Sequence, residues 1–161
     1  MKQPTKKQLV LLQERRIASV ATISPDGLPH MTSVWFLYED GQFFLAIPSS
    51  SAKGRNLNNN SRIAIMIDAR ETYREAGVTA SGHAEIISGE AAAAIVQRIH
   101  EKYMTQDALE DPLIGPTFNA IDDIAVRIQP TKWISWDMAQ LDKQYFGGRL
   151  QERKSFKQIV P

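Results

Sequence analysis

Short β-branched runs joined by very tight turns constrain this chain more than any other feature. Ile17–Ser24 (IASVATIS) alternates and is rich in Val, Ile and Thr, the pattern of a half-buried strand. Pro25-Asp26-Gly27 then turns the chain: Pro fixes φ, Asp bonds its own backbone, and Gly accepts a positive φ. Pro29–Glu39 reads as the returning strand, Asp40-Gly41 as a second hairpin turn, and Gln42–Pro48 as the third strand. Connections this short hold no crossover helix, so neighbouring strands run antiparallel. Arg62–Ala69 follows as a strand apolar enough for burial on both faces, then Ala76–Ser88, where Gly82 marks a bulge or a close backbone approach. Ile121–Pro130 and Lys132–Met138 read as the last two strands. The expectation is a mainly β protein: six to seven antiparallel strands in a small barrel, with few helices.

Two helices stand out. Thr5–Arg16 opens with the Thr-x-x-Gln spacing of a capping box, and Leu9, Leu12 and Ile17 are expected on its inner face. Gly89–Met104 begins with a run of alanines and repeats apolar residues at Ile95, Ile99 and Tyr103. Residues 105–120 read as a loop with one helical turn. Residues 1–138 are expected to form a single domain, with 139–161 as a loosely held or disordered tail.

Composition narrows the chemistry. The chain has 161 residues, enough for one domain with its own core. Nineteen basic residues face 18 acidic ones, so no overall field points to nucleic acid or to a membrane. The absence of cysteine excludes disulfides, thiolate catalysis and Cys-ligated zinc, and three scattered histidines argue against a metal centre. The basic start lacks the apolar core of a signal peptide, which makes the cytoplasm the default compartment.

One stretch resists a reading from composition. Ser49–Asn60 (SSSAKGRNLNNN) sits between two strands. It is either a polar connection or a phosphate cradle. In the second case Ser51 would cap a short helix over Ala52–Asn58, Lys53 would add a charge in its first turn, Arg55 a planar fork, and Gly54 room for a close approach.

The order of these features decides between them. Asp26-Gly27-Leu28-Pro29, Val34-Trp35-Phe36, Asp40-Gly41, then Ser51, Lys53, Asn56 and Leu57, then Asn59, Asn60 and the strand ending at Asp68 form one contiguous pattern over Ala21–Asp68. That pattern resembles the flavin-binding split β-barrel proteins, the pyridoxamine 5′-phosphate oxidase-like family. The resemblance continues more loosely through Ser81–Ile86, the Ala-rich helix and Lys132–Met138. It implies an oxidoreductase on a split barrel, paired as a homodimer, with FMN in clefts between the subunits and a small molecule as substrate. It also admits two alternatives on the same fold: dependence on the deazaflavin F420, and a non-catalytic flavin- or heme-binding module.

Carried over by position, Ser51 and Lys53 match the family's phosphate contacts, with Asn56 and Arg55 nearby. His30, Thr32, Ser33, Val34 and Trp35 match the strand beside the flavin ring, where backbone groups read the ring's edge. Ala46, Ile47 and Pro48 lie beneath the cofactor, and Trp133 and Trp136 are candidates to reach across the dimer cleft. The substrate Arg-x-His of true pyridoxamine phosphate oxidases has no counterpart near this C-terminus. The only such triplet, Arg98-Ile99-His100, falls inside a helix. Some deazaflavin-binding relatives have an Arg where Ser51 stands, which favours FMN. Flavin chemistry requires no protein acid or base, and none is assigned.

Other residues have plainer readings. His30 is either a cofactor donor or an exposed strand residue, and Trp35 either flanks the flavin or fills the core. His83 is expected to be structural, His100 on a helix surface, and Asp122-Asp123 a solvated strand start. Trp133 and Trp136, three apart on a strand, point to opposite faces.

Overall fold

The computed structural model describes residues 4–158. The elements in order are α1 (Lys6–Gln13), β1 (Ala18–Ile23), β2 (Pro29–Val34), β3 (Phe36–Glu39), β4 (Gln42–Pro48), α2 (Ala52–Asn59), β5 (Arg62–Ala69), β6 (Ala76–Ile87), α3 (Gly89–Tyr103), α4 (Gln106–Glu110), α5 (Ile114–Asn119), β7 (Asp123–Asp137), α6 (Met138–Leu141), a π-helical turn (Asp142–Phe146) and α7 (Arg149–Glu152). The seven strands form one antiparallel sheet in the order β2-β1-β5-β6-β7-β4-β3.

The connection between β2 and β3 forces the sheet to curl. These strands lie at opposite ends of the order, yet Trp35 alone separates them. Seven flat strands would put the two edges about 29 Å apart. One intervening residue spans at most about 7 Å. The sheet therefore bends into a split barrel. The sequence suggests one strand over Pro29–Glu39 because inward and outward positions alternate without interruption through Trp35. Val34, Phe36 and Tyr38 pack into the interior, while Trp35 and Leu37 face outward under α3.

The last strand differs in the opposite sense. The two expected segments are one 15-residue strand. Its ladder with β6 skips Thr131, so that Ser81 pairs with Lys132 and Gly82 with Pro130. A Cβ on Gly82 would sit 2.0 Å from the Gln129 carbonyl oxygen, so the bulge requires glycine.

Two apolar layers result. The barrel interior holds Val20, Phe36, Phe43, Leu45, Ile47, Ile65, Ile67 and Ile128. A second cluster lies between the outer sheet face and Ala92, Ile95 and Ile99 of α3. The Thr5–Gln8 capping box of α1 is present, but the helix ends at Gln13. Of its three expected inner residues only Leu12 is fully buried; Leu9 and Ile17 are exposed. β5 is buried on one face only, with Ala64 and Met66 half-covered on the other.

Past β7 the tail forms α6, the π-helical turn and α7, and its contacts reach Phe156. Buried Asp142 accepts hydrogen bonds from the Leu150 and Gln151 N–H groups, both at 3.0 Å. The Met138 N–H donates to the Glu75 carbonyl at 2.9 Å. Farther on, the Phe156 N–H donates to the Tyr73 hydroxyl at 2.9 Å. Buried Asp142, unremarkable in sequence, supplies these caps. Residues 159–161 lie outside the described residues.

Candidate functional site

The Ser49–Asn60 stretch covers one end of the barrel. Leaving β4, Ser49 is fastened to the residue just before β7: its N–H donates to the Asp122 carbonyl at 2.9 Å and its hydroxyl to the Asp122 carboxylate. The Ser51 N–H turns back onto the Pro48 carbonyl at 3.0 Å. Ser51 then caps α2, its Oγ accepting from the Gly54 N–H at 3.1 Å. Among the described residues, the Ser51 hydroxyl hydrogen and the N–H groups of Ala52 and Lys53 have no acceptor and remain for others. The close approach anticipated at Gly54 is to backbone: a Cβ there would lie 2.5 Å from the Ser49 carbonyl oxygen.

Lys53 sits in the first turn, half-buried. Burial holds its ammonium below the usual lysine range, and no acidic side chain pairs with it among the described residues. A cation drawn out of water without a counter-charge is costly unless an anion joins it. Arg55 does not join Lys53. It is exposed and folds back to donate to the Ser50 carbonyl.

Asn56 is structural in its contacts. It is buried, and its Nδ2 donates to the Oγ1 of fully buried Thr22 on β1 at 3.0 Å. This bond locks α2 onto the barrel, together with buried Leu57. Nothing in the sequence marks Thr22 as its partner. Asn60 accepts from the Arg62 N–H at 3.1 Å and turns the chain into β5.

Beside this end lies β2, where His30 is opposite Thr22 and Thr32 opposite Val20. His30, Thr32 and Val34 share the inner face, and Val34 packs on the core. His30 Nδ1 and Thr32 Oγ1 are both shielded from solvent and have no hydrogen-bond partner among the described residues. Buried polar atoms are ordinarily satisfied, so two on one strand face fit the polar edge of a bound group. Ser33 is exposed on the opposite face. Asp123, expected to be solvated, is also partly buried with an unpartnered oxygen. Burial first, and then the neighbouring Asp122 charge, raise its carboxyl pKa.

The other site positions are not brought together by their side chains. Trp35 stacks on Tyr103 at 5.0 Å and on Phe118 at 6.1 Å, and meets His100 edge-on. Its ring is part of the layer beneath α3, as is Ala46. Ile47 is buried in the barrel and Pro48 is exposed. Trp133 packs edge-on against Tyr38 and tilted against Phe43. Trp136, by contrast, is 39% exposed and lies over Gly77. His83 is an exposed edge residue bonded to Ser61 Oγ at 3.1 Å. His100 is buried, not on the surface, because Trp35 and Phe118 enclose it, and burial lowers its pKa.

A curled seven-stranded sheet with a capped, lysine-bearing helix at one end defines a split barrel. The sequence matches the pyridoxamine 5′-phosphate oxidase family over residues 4–137, and the chain belongs to that family. Among solved structures it is similar to the conserved hypothetical protein Rv2991 from Mycobacterium tuberculosis. That similarity is 26% identity, covering 88% of this chain and 92% of that one, with a TM-score of 0.68. It also shares its fold with an F420 reductase (21% identity, 81% and 98% covered, TM-score 0.62) and with HutZ, the heme storage protein from Vibrio cholerae (18%, 84% and 95%, 0.63). No curated protein matches the sequence. No helix of the described residues is long and apolar enough to cross a membrane.

Proposed function

We propose that this protein is an FMN-binding oxidoreductase. The observation that carries the reading is Lys53: a half-buried cation in the first turn of α2 with no acidic partner among the described residues. A phosphate there would gain the Lys53 charge, the Ser51 hydroxyl and the free N–H groups of the helix start. His30 Nδ1 and Thr32 Oγ1 would hold polar atoms of the same ligand, and backbone groups of β2 and of Ala46–Pro48 its ring. The bound flavin supplies hydride transfer. The chain's part is to position the ring and shield it, with a small molecule as the other reactant.

The test compares FMN with riboflavin, which lacks the phosphate. Lys53→Ala is expected to weaken FMN by about 1.5–3 kcal/mol, the range for a charge-assisted contact, and to leave riboflavin unchanged. Equal weakening of both ligands removes Lys53 from the phosphate. F420 is the alternative ligand on this fold, and tighter binding of F420 than of FMN in direct competition would replace FMN in the reading. Cofactor binding without turnover by any reductant would favour the non-catalytic alternative.

The reading includes a homodimer. Ser33, Ser19, Met66, Thr79 and Ile134 form a cross-strand row over β2, β1, β5, β6 and β7. It lies on the outer face, away from the inward Ile65 and Ile67. The face also carries exposed Met31 and Ile134, and a second copy would cover it. Met66→Asp is expected to give a monomer by sedimentation; an unchanged dimer excludes this face.

A further inference from the structure

A second cleft lies away from Lys53. It occupies about 580 Å³ between α1, the start of β6, the end of β7 and the tail, within the range of small-molecule sites. Val10 and Leu11 of α1 and Val78 of β6 give it an apolar wall. Trp136 gives it a flat one: the ring rests on Gly77, where a Cβ would lie 2.5 Å from the indole Nε1. Any other residue at 77 would displace the ring.

The charges at this cleft are paired, with one exception. Lys7 pairs with Asp137, and Arg16 pairs with Glu14 and with Glu71. Arg74 lines the cleft and makes no side-chain hydrogen bond or ion pair among the described residues. It also acts at a distance on Glu71, which Arg16 already holds. Glu75 is buried and does not line the cleft. One guanidinium thus remains for an anion, in a fork that suits a carboxylate. From the tail, Gln140 and Gln151 bring side-chain amides with no partner among the described residues. The tail lies beyond the family match, which ends at residue 137.

We propose that this cleft binds a small planar aromatic carboxylate, its ring against Trp136 and its carboxylate on Arg74. His30, Thr32, Ser51 and Lys53 do not line this cleft, so its test is separate from theirs. Trp35, Trp133 and Trp136 are the three tryptophans, so their indole N–H resonances report which one a ligand meets.

The probe is 2-naphthoate, titrated into the full chain, with neutral 2-naphthalenemethanol as its control. The expected result is a saturable shift of the Trp136 resonance, with binding about tenfold or more tighter for naphthoate. Arg74→Gln, an exposed position, is expected to erase that preference. An unmoved Trp136 resonance at millimolar naphthoate overturns the proposal. So does equal binding of the neutral probe to the unaltered chain, a result that needs no variant. FMN binding is measured on the same samples, so this site and the Lys53 site succeed or fail separately.

Discussion

Asn56 Nδ2 donates to Thr22 Oγ1 at 3.0 Å, with both side chains buried. This bond ties the helix that carries Lys53 to the first strand of the barrel. Asn56→Ala leaves the Thr22 hydroxyl without its donor, and a buried orphan costs about 1–3 kcal/mol. Urea unfolding is expected to show a loss of that size. FMN affinity is expected to fall as well, since α2 loses its anchor.

Gly54→Ala inverts the usual helix rule. Alanine within a helix is ordinarily better than glycine by about 0.5–1 kcal/mol. Here the added methyl would meet the Ser49 carbonyl oxygen at 2.5 Å. The expected outcome of thermal unfolding is a lower midpoint. A rise would mean that the Pro48–Ser51 turn yields without cost.

Lys102 and Tyr103 set a pH dependence at the alkaline end. Burial lowers the Lys102 ammonium to about 8, against a smaller opposing effect of Glu39. The folded chain then binds fewer protons than the unfolded one from about pH 8 to the ordinary lysine value of 10.5, so stability rises across that window. Burial pushes the Tyr103 phenol up to about 12. Its stabilisation is complete below pH 10 and is lost as the pH climbs through about 12. Unfolding measured from pH 7 to 12 should peak near pH 10, and Lys102→Met should remove the rising limb.

Asp142 holds the tail. Asp142→Ala removes the acceptor for the Leu150 and Gln151 N–H groups. Hydrogen exchange is expected to speed up across residues 138–158 while the β6–β7 ladder keeps its protection. Uniform loss of protection would show instead that tail and barrel unfold as one unit.

The turns were readable because their chemistry is local. Gly27 and Gly41 both adopt positive φ, +85° and +79°, and Thr5 with Gln8 makes the box its spacing announces. Gly82 announced a bulge for the same reason. The β2–β3 break was not readable, because alternation continues through Trp35 while only the pairing partner changes. Nor were the contacts of Asn56, His100 and Asp142, whose partners or enclosing rings come from elsewhere in the fold. The side chains proposed for the phosphate, Ser51 and Lys53, are separated by a single residue, and their helix start was legible. The Arg55 contact was not legible either, because its fork turns back to the Ser50 carbonyl.

The Val34–Trp35–Phe36 link has a consequence for how this chain can vary. Most connections here run over the surface and tolerate extra length. At Trp35, one added residue would turn Phe36 and Tyr38 outward and drive Leu37 into the barrel. Substitutions at 35 only alter packing under α3, whereas insertions there exchange the inside of the protein for its outside. The join therefore admits drift in identity but none in length.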